Sequence, residues 1–308
     1  MPIHLGPMTR RDFLAGATGA TAALLLGPHV RAAEAARQAD PHCFALLSDT
    51  HVPANPKKVQ AKVNMTDHFI KAIDQVVNLD PAPAGAIFCG DLAHISGLPT
   101  EYKQFAPIVS KLAEAKLPTH LMVGNHDHIE NLYSALNTAR PAKPLVVGKH
   151  VSIVQSQRAN WFLLDSLEIV NNTPGLLGAE QLKWLGKALD EHANKPAIVM
   201  AHHDPSLLPP KRRPKRNSGL KDGDALLDVL VERNHVKAFI YGHRHHWRHR
   251  THGGLHIMAL PTTAYTSPLQ ASSWVLARLE RTGLSLELRA IDPKHALNGK
   301  KIELTWRP

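Results

Sequence analysis

The chain has 308 residues, 44% of them hydrophobic, so it can bury a substantial core and needs no disulfide framework to fold. The composition is that of an ordinary globular protein, in which one large domain is as plausible as two. A formal net charge of +10, with 21 histidines besides, points to metal chemistry or an anionic partner.

The first segment stands apart from the fold. "TRRDFL", from Thr9 to Leu14, leads into a mildly apolar stretch through Leu26 and a small-residue site at Ala33-Glu34-Ala35. This resembles a twin-arginine export signal, so residues 1–35 are expected to be a signal peptide and the remainder an exported, periplasmic protein. Between Asp12 and Pro28 there are too few residues, with Gly and Thr among them, for the roughly 20 apolar residues of a membrane span.

Residues 36–308 alternate strand and helix. Cys43 to Ser48 is a continuous apolar run, Phe69, Ile70, Ile73, Val76 and Val77 repeat at helical spacing, and Ala86 to Cys89 is apolar again. Tyr102, Phe105, Ile108, Val109 and Leu112 mark the next helix, before a strand at Leu121. That βαβαβ order implies a mostly parallel sheet covered by helices. Val151 to Val154 and Trp161 to Leu164 bracket "QSQRAN" as an antiparallel hairpin. Leu182, Leu185 and Leu189 predict a helix, Ala197 to Met200 a strand, Leu226 to Val231 a helix and Val236 to Tyr241 a strand. Short strands near Leu255 to Leu260, Trp274 to Leu276 and Leu284 to Leu288 finish the chain. With no internal repeat and no long polar linker, one domain over 36–308 is expected. Cys43 and Cys89 precede their strand ends by different lengths, which places them too far apart for a bridge and predicts two buried thiols.

Polar residues gather where these strands end. Asp49 and His51 follow the first strand, Asp91 the second, Asn125 to Asp127 the third, His202 and His203 the strand after the hairpin, and His243 and His245 the last. A single Asp or Asn after a strand is commonly a turn residue or helix cap. Five strands delivering Asp, Asn or His to one edge of a parallel sheet instead predict a site. Oxygen and imidazole donors without thiolate suit iron, manganese or zinc in an open catalytic centre. Two such cations repel unless an anion lies between them, and Asp91 is the candidate bridge. His243 and His245, two apart on extended chain, face the same side and can serve different metals.

"DTH" at Asp49, "GDLAH" at Gly90, "GNHD" at Gly124, "HH" at His202 and "GHRH" at Gly242 together resemble the ordered motifs of the calcineurin-like metallophosphoesterases. The resemblance covers about Phe44 to Tyr265. "GDLAHISGLPTEY", "GHRHHW" and "ALPTTAY" are more similar to its cyclic-nucleotide and glycerophosphodiester phosphodiesterase branch. It implies an α/β fold, a two-sheet β-sandwich flanked by helices. It also implies two metal ions, Fe, Mn or Zn, the first held by Asp49, His51, Asp91 and His245 and the second by Asp91, Asn125, His202 and His243. A metal-bound hydroxide would attack phosphorus, His126 would stabilise charge or protonate the leaving oxygen, and Asp127 would orient His126. One of His202 and His203 is the ligand, the family pattern favouring His202. His94 stands where phosphodiesterase relatives often have Asp and purple acid phosphatases Tyr, which leaves the first metal and the branch open. His246, His249 and His252 read as a solvated loop.

"PPKRRPKRNSG", Pro209 to Gly219, is a basic loop that prolines keep from helix. It reads as a solvated loop, or as a strap that attracts an anionic substrate or a nucleic-acid backbone. The expectation is an exported phosphoesterase acting on a small anionic phosphodiester or monoester. The alternatives are a metal-dependent nuclease and a non-catalytic binding module on the same fold.

Overall fold

The computed structural model describes residues 38–208, 210–212, 218–266 and 270–308. The expected signal peptide, and Pro209 and residues 213–217 of the basic loop, lie outside the described residues.

The parallel half begins with β1 (Ala39–Leu47), then a two-residue hairpin of β2 (Val59–Gln60) and β3 (Val63–Asn64), α1 (Met65–Val77), β4 (Ala82–Cys89), α2 (Pro99–Glu114) and β5 (Thr119–Met122). The inner half of β1, from Cys43 to Leu47, is buried throughout, as expected of a strand covered on both faces. α1 starts where the Asn64 side chain accepts from Asp67 N at 3.1 Å, and it buries Phe69, Ala72, Ile73 and Val76 on one stripe. α2 starts on Pro99, with the Glu101 carboxylate accepting from Leu98 N at 2.8 Å.

The chain then runs through α3 (Ile129–Ala135), β6 (Ser152–Gln155), β7 (Asn160–Leu163), α4 (Ala179–Glu191), β8 (Ala197–Ala201), α5 (Gly223–Val231) and β9 (Val236–Tyr241). It ends in β10 (Arg248–His252), β11 (Leu255–Ala259), β12 (Ser273–Leu279), β13 (Gly283–Ala290) and β14 (Lys301–Thr305).

Two six-stranded sheets result, ordered β14-β13-β12-β1-β4-β5 and β10-β11-β9-β8-β7-β6. In the first, β1, β4 and β5 are parallel. In the second, β7, β8, β9 and β11 are parallel. Phe44, Leu46, Ile87 and Met122 from one sheet meet Trp161, Ile198, Met200 and Ile240 from the other in a shared core. α1 and α2 cover the outside of the first sheet, where the rings of Phe69 and Phe105 stack at 5.1 Å, and α4 and α5 cover the second. The expected two-sheet sandwich flanked by helices is therefore present, and both cysteines are buried free thiols.

Five elements differ from the reading of the sequence. The run holding His249 and His252 is not a solvated loop but the edge strand β10, paired antiparallel from Arg248↔Ala259 to His252↔Leu255. It is polar on both faces, so hydropathy carries no trace of it, and its charges suit an unpaired sheet edge. β14, the β2–β3 hairpin and α3 are too short for periodicity to separate them from turns.

Candidate metal centre

The parallel strands of both sheets end at one edge, and their last residues form the site. Pairing continues past the strands: Asp49 N donates to Gly90 O and His51 N to Asp91 O, each at 3.0 Å, and Gly242 N donates to His202 O at 3.1 Å. At that edge the backbone turns through the left-handed region at Asp49 (φ 53°), His51 (45°), Asp91 (52°), His243 (62°) and His245 (54°). Each conformation costs on the order of 1–3 kcal/mol and persists only where the surroundings enforce it. Two glycines permit the crowding. A Cβ on Gly124 would stand 2.2 Å from Asp91 Oδ1, and one on Gly242 would stand 2.1 Å from Ser48 Oγ and 2.8 Å from Asp49 Oδ2.

Three groups of donors, each with its ligand atoms within 4.8 Å of one another, share this edge: Asp49, His51 and His245; His51, Asp91 and His126; and Asp91, His202 and His243. His245 Nε2 lies 3.1 Å from Asp49 Oδ1 and from His51 Nε2. His202 Nε2 lies 3.1 Å from Asp91 Oδ2, in ion-pair contact but off the geometry of a hydrogen bond, so both atoms also face the space beside them. The Asn125 side-chain oxygen is also buried without a hydrogen-bond partner among the described residues. Buried polar atoms left unpaired at a converging set of carboxylates and imidazoles fit a divalent cation.

Backbone N–H groups hold the carboxylates. His243 N donates to both Asp49 oxygens, at 3.2 and 3.1 Å, and His126 N to Asp91 Oδ1 at 2.8 Å. Burial opposes the charge on Asp49, but His245 and His202 outweigh it and hold the carboxyl down at about 2. Asp91 is likewise held well below the usual range, burial being overcome chiefly by His202. His202 is raised to about 10, because Asp91 and Asp49 more than offset its burial. Burial drives His51 down to about 3 and, with His202 beside it, His243 to about 4.

The expected support of His126 by Asp127 is corrected. Asp127 is fully buried and accepts from Gly124 N (2.8 Å), Ala93 N (3.0 Å), Leu92 N (3.1 Å) and the Tyr102 hydroxyl (2.9 Å). The N–H donors nearest in the turn satisfy it, and it binds the loop after β4 to the loop after β5. The His126 ring instead has Nδ1 2.6 Å from Ile95 O, and Nε2 4.0 Å from Asp91 Oδ2. His203 packs beside His202 and His243, with Nδ1 2.8 Å from Ser166 Oγ, and lies outside the three groups. His94 also lies outside them, bonded to Gln60.

Tyr102 and Tyr265 escaped the reading of the sequence. Tyr102 sits in a helical stripe that periodicity assigns wholly to packing. The Tyr265 ring lies 5.2 Å from His51 and 5.5 Å from His245, and only the motif "ALPTTAY" hinted at it. Thr262, in the same motif, donates its hydroxyl to Asp49 O at 2.9 Å and so braces the left-handed turn at that residue.

Known proteins share stretches of this sequence and its fold. A family model described as calcineurin-like phosphoesterase matches residues 44–247. A 3',5'-cyclic-nucleotide phosphodiesterase of Nostoc sp. is 25% identical over 237 residues, covering 77% of this chain and 84% of its own. A probable glycerophosphodiester phosphodiesterase of Arcobacter nitrofigilis is 30% identical over 201 residues, 65% of this chain and 70% of its own. Among solved structures, a dimetal phosphatase from Danio rerio superposes with a TM-score of 0.67 over 87% of this chain and 100% of that one, at 16% identity, which shows the shared fold. The span 44–247 contains every donor of the site, and the chain belongs to the calcineurin-like phosphoesterase family as a metal-dependent phosphoric ester hydrolase.

Proposed function

We propose that the protein hydrolyses a small phosphodiester at a two-cation centre, with phosphomonoesters as poorer substrates. The observation that carries this reading is the position of Asp91, which belongs to two of the donor groups and separates a set around Asp49 from a set around His202. Asp49, His51, Asp91 and His245 would hold one ion, and Asp91, Asn125, His202 and His243 the other. Bound there, a cation pair would neutralise phosphoryl oxygens and lower the pKa of water enough to supply hydroxide, the nucleophile for phosphorus, near neutral pH. The Ile95 carbonyl accepts from His126 Nδ1–H and fixes that ring with Nε2 half-buried, so that the ring, when protonated on both nitrogens, would pass its Nε2 proton to the leaving oxygen and keep the Nδ1 proton on Ile95. Tyr265 closes the side of the first set. The names of the relatives, cyclic-nucleotide and glycerophosphodiester phosphodiesterases, support a diester.

A panel of cyclic AMP, bis-p-nitrophenyl phosphate and p-nitrophenyl phosphate, run with manganese, zinc and iron, tests the reading. Activity should vanish with a chelator, return with metal, and fall in Asp91→Asn by more than the roughly 10–100-fold typical of groups that only orient a ligand. Chelator-resistant turnover, or an active Asp91→Asn, would refute the two-cation centre.

A further inference from the structure

His94 is buried beside the centre, though it belongs to none of the donor groups. Its backbone oxygen accepts from His51 Nδ1 at 3.3 Å, and its ring lies 6.5 Å from the His51 ring. The ring reaches away to the β2–β3 hairpin, with Nδ1 3.5 Å from Lys58 Nζ and Nε2 2.9 Å from Gln60 Oε1. An ammonium can only donate, so Nδ1 presents its lone pair to Lys58 and Nε2–H donates to the Gln60 carbonyl. In this short chain the neutral imidazole accepts one ammonium proton and passes its own N–H to Gln60, leaving the other ammonium protons of Lys58 for another acceptor.

The hairpin that carries Lys58 is well fixed. Its turn places Ala61 and Lys62 at φ 49° and 66°, the twist that suits a two-residue connection. At its base, Lys58 N donates to Asn55 O at 3.0 Å and Asn64 Nδ2 donates to Pro56 O at 2.9 Å. Lys58 is therefore stationed at the rim of the centre, with no carboxylate in ion-pair contact among the described residues. Arg244, on the opposite loop, is already matched by Asp204 at 2.6 Å. An imidazole positions an ammonium without cancelling its charge, whereas an aspartate at position 94 would cancel it.

We propose that Lys58, held by His94, is a specificity-determining residue that reads a second negative group, a non-scissile phosphate or carboxylate, on the substrate. The inference rests on the phosphodiesterase reading of this site. The scissile phosphate belongs at the Asp and His donors, which leaves the ammonium one residue further out for another anion.

The dinucleotides ApA and pApA share one diester and differ by a terminal phosphate, so the metal-loaded protein should prefer pApA in kcat/KM by about tenfold, the scale of one charge-assisted contact. Lys58→Gln should collapse that ratio toward one, as should His94→Asp, while Lys62→Gln on the exposed turn keeps it. By calorimetry, Lys58→Gln should weaken pyrophosphate binding about tenfold more than phosphate binding. Equal use of both dinucleotides by the unaltered protein, or an undiminished ratio in Lys58→Gln, overturns the role of Lys58. If neither dinucleotide is cleaved with any metal, the pyrophosphate comparison decides on Lys58, and the phosphodiesterase reading itself fails only if cyclic AMP and bis-p-nitrophenyl phosphate also survive intact.

Discussion

Asp49, His51, Asp91, His243 and His245 combine two properties that rarely coincide, a side chain able to bind a cation and a left-handed backbone. Aspartate and histidine tolerate that region better than branched residues, so donor chemistry and turn geometry select the same residue types. His202 shows what the arrangement does to protons. Asp91 and Asp49 raise it to about 10 despite burial, so without metal it carries a proton near pH 7, and Asp49 pushes His245 upward as well. A cation needs the neutral imidazole. Metal binding at pH 7 should therefore release protons, and affinity should climb with pH until about 10, where His202 is already deprotonated. Titration calorimetry in two buffers of different ionisation enthalpy measures this directly. Identical heats in both buffers, meaning no proton release, would contradict the charge state assigned to His202.

Among the elements, the end of the chain locks the second sheet. Arg307 donates to five carbonyls: Val236 O (3.0 Å), Val231 O (3.2 Å), Gly253 O (3.0 Å), Leu230 O (2.9 Å) and Arg233 O (2.7 Å). These include carbonyls left open at the end of α5 and the start of β9, and Lys237 Nζ donates in turn to Arg307 O. One planar guanidinium satisfies groups that a lysine could reach only in part. Arg307→Ala should cost about 2–3 kcal/mol, read as a lower urea midpoint at constant slope, with Arg307→Lys in between. An unshifted midpoint in Arg307→Ala would mean that water serves these carbonyls equally well. β10, at an edge of the same sheet, adds to its backbone pairing a side-chain contact, His249 Nε2 standing 3.0 Å from His256 Nδ1 on β11.

Across the whole molecule, a formal charge of +10 acts on any anionic substrate before contact. Raising ionic strength from about 0.01 to 0.15 M shortens the screening length from about 30 to 8 Å. The kcat/KM for an anionic diester should then fall several-fold while kcat holds, because steering affects encounter and not the bound state. A salt-independent kcat/KM would place the positive charge where substrate does not sense it. Charge patterning of this kind concerns partners and rates and leaves the fold alone. The fold rests on the core shared by the two sheets, whose parallel strands bring all the donors to a single edge.

The sequence by itself determined the alternation of strands and helices and the strand-end motifs from Asp49 to His245, because apolar runs and ordered polar motifs are local signals, whereas the sandwich class came only through the family those motifs resemble. It could not display β10 or β14, whose pairing depends on partners distant in the chain. Nor could it show which donor serves which neighbour. Asp127 stands next to His126 in sequence, yet its carboxylate goes to N–H groups of another loop and to Tyr102. Lys58 and His94 are 36 residues apart and meet only because the hairpin folds back over the loop after β4. Hydrogen bonds form with whichever donor is nearest in space, and only the packing of the two sheets fixes which one that is.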